Sequence, residues 1–474
     1  MEQANSNAIF TMTRKQMVWL LIAFAALILL LVIDIPNLDL TGQKALAILA
    51  WIIIVLISKC LPIMLANVIF AVLTITMGVI SQPNFFAAVG TSPFFLVLSL
   101  SVVALGMSKT NLGARIAYLI IKYIGKTPAL LVLAVMLTGT VLSALIINLP
   151  ALLAVCPIVL SVLHELKEEP GTSKLGKAMF LGLAYSAGIG GLVLITSNGL
   201  NATGIAAMTK VDESLTITYG QFAVVGIVMA VVMVITGWLV LCAWFRVNQN
   251  SKSLPQDVAD KRLNELGKIS ATEVRFIVIL LAMVLCFFFS AELHLTGPTV
   301  ALIFLAVMLC PYIGLIRFEE AQKEINWALL VQIAFFVAYA GGIINTGVGE
   351  WLSDLLFGWL HTDNLLLLVV AMVMFSHIAG FLIPNGGAAP LLIPFVVALA
   401  QASGIAPQIL VMVVICVCSW TQVQPVQNQY LVVCSNAGGF LEIKDFVIPN
   451  LLVSLVWSII AIPCYSILLP IVFG

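Results

Sequence analysis

Four short runs of uncharged polar residues interrupt long apolar stretches of this 474-residue chain, and they are where its sequence could do chemistry. They are Asn148; Asn385-Gly386-Gly387, inside Pro384 to Pro390; Ser197-Asn198-Gly199-Leu200-Asn201; and Gln424 to Gln429, which holds Gln427, Asn428 and Gln429. Amides and hydroxyls removed from water need a hydrogen-bonding partner. A helix broken at such a run exposes N–H groups at one half and carbonyls at the other. The N–H ends attract anions, and the carbonyl ends, with Asn and Ser oxygens, can coordinate a desolvated cation such as Na⁺. Asn148, Asn385, Gly386, Gly387, Gln427, Asn428 and Gln429 are therefore expected to hold a small organic anion. Asn148, Ser197, Asn198, Asn201, Asn385 and Asn428 are the expected cation set. The alternative for each residue is that a buried amide only holds neighbouring helices together.

Equally informative is the chemistry that is missing. No Asp, Glu, Lys or Arg falls well inside an apolar run, so a carboxylate-based proton antiporter is disfavoured and an anion meets no buried acid. His377 is the single titratable group of note at depth; it could take a proton, pair with a carboxylate guest, or be a packing residue. There is no phosphate-binding loop, H-E-x-x-H or nucleophile elbow, and Gly188-Ile189-Gly190-Gly191 lacks the strand of a dinucleotide fingerprint. The nine cysteines are scattered and odd in number, and read as small buried apolar residues rather than disulfides or metal ligands. No enzyme chemistry, resident metal or cofactor is expected.

The elements that must position these runs follow from composition. With 62% hydrophobic and 9% charged residues, the chain cannot be a water-soluble globule, since soluble domains carry about 25% charged residues. The 21 basic residues balance the 21 acidic ones, so no net charge points to nucleic acid. Continuous apolar runs, not alternation, exclude a membrane barrel. The expected fold is an all-α polytopic membrane protein in the cell membrane. About eleven spans are expected, near 17–34, 44–58, 61–80, 93–108, 178–208, 219–245, 272–291, 296–314, 327–345, 408–434 and 446–470. The first run follows Arg14 and Lys15, lacks a small-residue cleavage site, and is read as a retained helix.

Two stretches do not fit simple spans. Thr127–Leu163 is 37 residues without a charge, and Asn364–Leu441 is 78. Half-depth helical hairpins with polar tips, over 127–163 and 364–402, account for both; backbone exposed by Gly and Pro at that depth must line a protein-enclosed cavity. An N-terminus on the cytoplasmic side puts all Lys and Arg except Lys44 and Lys210 on that side. The hairpins then enter from opposite faces, as in an inverted repeat. The unit of span, interfacial segment, hairpin, broken span and span occurs twice. The expected organisation is an N-terminal helix (1–36), a first repeat (37–245), a cytoplasmic linker (246–271) and a second repeat (272–474). The linker is either a hinge or a passive solvated loop.

The residues now in place resemble the divalent anion:sodium symporter family of the ion transporter superfamily, which includes citrate and dicarboxylate carriers. Its hairpin tips carry Ser-Asn-Thr in a phrase like SNTATTA-x-x-x-P. Here the tips read Ile147-Asn148-Leu149-Pro150, with Pro157 beyond, and Pro384-Asn385-Gly386-Gly387, with Pro394 beyond. Ile189-Gly190-Gly191 matches the family's run before its first broken span, Asn198 to Asn201 stands at the break, and Pro425-Val426 opens a phrase like Pro-Val-Ala-Thr. The resemblance implies a homodimer with an elevator motion, substrate held between the tips, and one Na⁺ near each tip. Ser and Thr, which would contact carboxylates and help ligate Na⁺, are absent from both tips, and Gln427, Asn428 and Gln429 add amides. A larger or hydroxylated organic anion, or a sulfonate, would suit this change.

The function expected is secondary active transport of a small organic anion, with Na⁺ as a possible coupling ion and the lipid bilayer as the chain's surroundings. The alternatives are Na⁺-independent exchange and a non-transporting membrane scaffold with a degraded site. A channel would need a more continuous polar lining, and a lipid-acting enzyme would need an ionisable set near an interface.

Overall fold

The computed structural model describes residues 12–90, 92–248, 253–290, 292–344, 346–358, 364–382, 385–421 and 429–474. Among the described residues all regular structure is helical. The helices are α1 (Arg14–Val32), α2 (Leu40–Ser58), α3 (Ile63–Thr76), α4 (Gln82–Val89), α5 (Ser92–Ser108), α6 (Leu112–Ile124), α7 (Pro128–Leu145), α8 (Asn148–Glu165), α9 (Lys174–Gly190), α10 (Gly199–Val211) and α11 (Tyr219–Phe245). There follow α12 (Gln256–Glu265), α13 (Ala271–Phe288), α14 (Gly297–Leu309), α15 (Phe318–Glu324), α16 (Trp327–Ile344), α17 (Val348–Phe357), α18 (Leu365–Leu382), α19 (Asn385–Ala402), α20 (Pro407–Trp420), α21 (Gln429–Asn436) and α22 (Ile443–Phe473).

Helix starts are written locally. Thr13 with Gln16, Thr218 with Gln221, and Ser270 with Glu273 form reciprocal caps. Thr127 accepts from the Leu130 N–H and is followed by Pro128, whose missing N–H costs nothing at a first helical position. α6 ends on Gly125 and buries Ala117, Tyr118 and Ile121 while carrying Arg115 and Lys122, the pattern of an amphipathic helix.

Seven described helices are long and apolar enough to cross a membrane, and as many as nine if α5–α6 and α15–α16 each form one bent span. Eleven spans were expected from apolar runs. The figures differ because α3, α14 and α20 have only 14, 13 and 14 residues and α9 has 17, while α7 and α8, expected as hairpin arms, are among the seven. The hairpin arms differ from expectation too. α7 and α8 have 18 residues each, about 27 Å at 1.5 Å per residue, long for arms that stop at half depth. The stretch holds two such arms because Ile146 and Ile147 alone separate them.

The order of helices from α13 to α22 follows that from α2 to α11: amphipathic α6 and α17, paired α7–α8 and α18–α19, broken α9–α10 and α20–α21, then long α11 and α22. α7 lies along α9, where Gly139 admits the Ser186 side chain and Gly182 admits Met136. The second piece of each broken span packs into the other half of the chain: α10 against α19 and α20, α21 against α8 and α9. The linker contains a helix, α12. It is fastened by Lys122–Asp260 at 2.6 Å and Arg262–Glu165 at 3.0 Å. All nine cysteines are free, and Cys60, Cys156, Cys416, Cys418 and Cys434 are buried, as expected of small apolar residues.

Candidate functional site

Each polar run coincides with the start of a helix. Asn148 opens α8, Gly199 opens α10 behind its cap Asn198, Asn385 opens α19 and Gln429 opens α21. The preceding helices α7, α9, α18 and α20 end a few residues earlier. Four N-terminal ends, each with unsatisfied N–H groups and a partial positive charge, therefore begin at the four runs; four carbonyl ends stop there.

The first two runs form one buried junction of α7, α8, α9 and α10. Asn148 is 1% exposed, and its Nδ2 donates to the Tyr430 hydroxyl at 2.8 Å. Asn201 is fully buried, and its Nδ2 donates to the carbonyls of Gly191 at 2.7 Å and Leu194 at 2.9 Å. Both amides thus spend their N–H groups on protein acceptors, and both Oδ1 atoms are buried with no partner. Gly190 and Gly191 make this closeness possible. A Cβ at Gly190 would lie 2.5 Å from the Ser143 Cβ and the Thr140 carbonyl, and one at Gly191 would lie 2.6 Å from Asn148 Nδ2.

On α7, whose Ser143 side chain and Thr140 carbonyl border Gly190, the hydroxyls of Thr140 and Ser143 are also buried and unpartnered. Helical hydroxyls ordinarily bond back to the carbonyl one turn earlier, as Thr138 does to Ala134 at 2.7 Å. Thr140 and Ser143 do not. The orphaned side-chain atoms here are two amide oxygens, which only accept, and two hydroxyls, which accept or donate, a set that can coordinate a desolvated alkali cation. Among the described residues no cluster of three His, Cys, Asp or Glu side chains offers a transition-metal site.

Ser197 and Asn198 have structural duties. Ser197 Oγ donates to the Ala144 carbonyl at 2.8 Å and accepts from the Leu194 N–H, pinning the break to the end of α7. Asn198 Oδ1 accepts from the Leu200 N–H at 3.2 Å as the cap of α10. Asn385, Gly386 and Gly387 occupy the first turn of α19, but their side-chain environment lies outside the described residues. So do Gln427 and Asn428 altogether, and the side chain of Gln429, which starts α21. The structure brings the first tip to the second broken span through Asn148 and Tyr430, and α10 to the second hairpin through α19.

Sequence reasoning missed Thr140, Ser143 and Tyr430. The first two carried a signal, hydroxyls three residues apart on one face of an apolar arm. Tyr430 carried none, since an aromatic in an apolar run reads as packing.

A family model described as the sodium:sulfate symporter transmembrane region matches residues 14–472. A sodium-dependent dicarboxylate transporter of Staphylococcus saprophyticus is 26% identical over 421 residues, 83% of this chain and 80% of the relative. Its Staphylococcus aureus counterpart is 25% identical over 459 residues, 91% and 87% of the two chains. Among solved structures, the YdaH transporter of Alcanivorax borkumensis has a similar fold at TM-score 0.53 and 14% identity, over 89% of this chain and 97% of that one. MtrF of Neisseria gonorrhoeae gives 0.54 at 14% identity, over 95% and 94%.

Proposed function

The chain belongs to the sodium:sulfate symporter family of membrane transporters, and from that premise we propose that it is a Na⁺-coupled carrier of a small organic anion in the cell membrane. The observation that supports this most directly is the pair of buried amide oxygens of Asn148 and Asn201, left without partners where α7 and α9 end and α8 and α10 begin. Na⁺ binds these oxygens, with Ser143 and Thr140 beside them, while Ser197 and Asn198 shape the turn. The anion is held against the helix N-termini by Asn148 from one side and by Asn385, Gly386, Gly387, Gln427, Asn428 and Gln429 from the other. A cation next to these N-termini offsets the anion's charge, so the two guests favour each other's binding. A dicarboxylate is the leading substrate class, since the relatives named above are dicarboxylate transporters.

The reading extends to architecture. Residues 37–245 and 272–474 form inverted halves around α12, 127–163 and 364–402 form re-entrant hairpins among eleven spans, and the N-terminus is cytoplasmic. A homodimer carries the hairpins up and down against a fixed frame.

Proteoliposomes holding the full chain test the function. Labelled succinate should enter saturably down an inward Na⁺ gradient, and replacing Na⁺ with choline should abolish uptake. Uptake indifferent to choline makes the protein an exchanger. Absence of saturable flux for succinate, citrate and sulfate alike rejects the carrier.

A further inference from the structure

The two hairpins share one register. Both first arms have 18 residues and end three positions before the Asn that opens the next helix. Thr140 and Ser143 stand eight and five positions before Asn148; His377 and Gly380 stand eight and five positions before Asn385. The packing partners correspond as well. In the first half the end of α9 meets the arm at Gly190 and Ser143; in the second the end of α20 meets it at Thr421 and Gly380, where a Cβ would lie 3.1 Å from the Thr421 Cβ. Equivalent positions on the two arms therefore hold different chemistry, two hydroxyls in one half and an imidazole and a glycine in the other, where the Thr421 hydroxyl beside Gly380 bonds back to the Val417 carbonyl.

The imidazole is set up to receive a proton. Its Nδ1 lies 3.1 Å from the Val373 carbonyl, which can only accept, so Nδ1 carries the hydrogen. Nε2 is then a bare lone pair, and it is buried with no partner. The ring packs nearly perpendicular to the Trp420 indole, with centroids 4.9 Å apart. The helices packed on α18 are α19, α20 and α22. α19 has no titratable side chain. α20 supplies Cys416 and Cys418, and α22 supplies Cys464 and Tyr465. The nearest charges along these helices are Lys444 and Asp445 in the first turn of α22, where Asp445 is paired with Lys177 at 2.7 Å. A protonated His377 thus has no resident counter-ion on those helices, and a carboxylate arriving at the neighbouring tip would supply one.

We infer that His377 is the binding site of a coupling proton, standing in the second half where the first half has its Na⁺ site. Nε2 takes the proton as the anion arrives and releases it when the anion leaves. One Na⁺ and one proton neutralise a dicarboxylate, and a neutral load crosses the bilayer at least electrostatic cost. The inference rests on the carrier reading above.

The test uses the full chain in liposomes with labelled succinate outside and a pH-sensitive dye inside, comparing wild type with His377→Gln and His377→Asn. The Asn amide nitrogen can keep the bond to Val373, so a folded, monodisperse control exists even if Gln perturbs α18. Wild-type uptake should rise about fivefold to tenfold from about pH 8 to about pH 6, and the lumen should acidify with uptake. Both variants should lose the pH dependence and the acidification and keep the same half-saturating Na⁺ concentration. Identical pH profiles in all three proteins, or Na⁺-driven uptake without acidification in wild type, overturns the proton site and leaves the carrier standing. No saturable flux of any anion in wild type overturns both. Proton uptake by the detergent-solubilised wild type when Na⁺ and succinate are added, absent in His377→Asn, is the transport-independent check.

Discussion

Asn148, at the tip between α7 and α8, donates its Nδ2 to the hydroxyl of Tyr430 on α21 at 2.8 Å, joining residues 282 positions apart. In that bond the amide nitrogen is turned toward Tyr430. With nitrogen committed to Tyr430, the oxygen is left buried near Gly191 with no protein partner. A residue of the α20–α21 region thus holds the amide that opens α8.

Tyr430→Phe removes this acceptor while keeping the ring. The amide can then turn, and its oxygen is no longer held toward the cation. Losing one buried hydrogen bond costs about 1 kcal/mol, so the half-saturating Na⁺ concentration for succinate uptake should rise about fivefold to tenfold. The succinate KM at saturating Na⁺ should change less. An unaltered Na⁺ dependence, measured in proteoliposomes, would show that Tyr430 only packs.

Gly190 and Gly191 should behave differently as alanines. At Gly190 the added methyl lies 2.5 Å from the Thr140 carbonyl and 3.1 Å from the Ala144 nitrogen, backbone atoms that cannot step aside. Overpacking of this kind costs about 1–3 kcal/mol, so Gly190→Ala should lower the thermal midpoint. At Gly191 the nearest atom is Asn148 Nδ2, the end of a short side chain. Gly191→Ala should keep most of the stability and lose Na⁺-induced thermal stabilisation. Equal loss of stability in the two would contradict the separation of packing from binding roles.

Much of the fold was legible because local chemistry marks it. Gly, Ser and Asn clusters halt α9 at Gly190 and start α10 at Gly199, close to where the polar run placed the break. The amphipathic segment expected at 114–125 is α6 at Leu112–Ile124. Two things were not legible. The two-residue turn at Ile146 and Ile147 is apolar and gives no turn signal of its own. The partner of Asn148 depends on how distant helices pack, and no periodicity encodes that. Ser197 and Asn198 show the converse: their residue types suited a guest, and the local backbone claims their side chains.

Glu320 on α15 pairs with Lys109, just past α5, at 2.8 Å, and the ammonium beside it holds its carboxyl below the usual carboxylate range. A folded pKa below the unfolded one, about 4.3, means the pair helps the fold above that value and stops helping as pH falls through the folded value. Both partners are exposed, so salt should weaken the effect. The thermal midpoint of wild type should exceed that of Glu320→Gln near neutral pH in low salt, and the gap should close on acidification and in high salt. A gap independent of pH would assign it to packing.

Arg115 ties amphipathic α6 to the linker and to α13. Its Nε meets Glu273 at 2.8 Å, and its two terminal nitrogens donate to the carbonyls of Leu266, Gly267 and Lys268 at 2.9 to 3.0 Å. Those carbonyls belong to the end of α12 and its turn, so one guanidinium closes a helix end and neutralises a carboxylate that is 2% exposed. A lysine has neither the fork nor the donor count for this. Breaking a buried pair from one side costs about 3–5 kcal/mol, whereas replacing both partners with apolar residues is often close to neutral. Arg115→Met should therefore lower the thermal midpoint sharply, Arg115→Lys by less, and Arg115→Met with Glu273→Leu should recover much of the loss. If the double variant is as unstable as the sum of the singles, the carbonyl contacts and not the ion pair hold the linker.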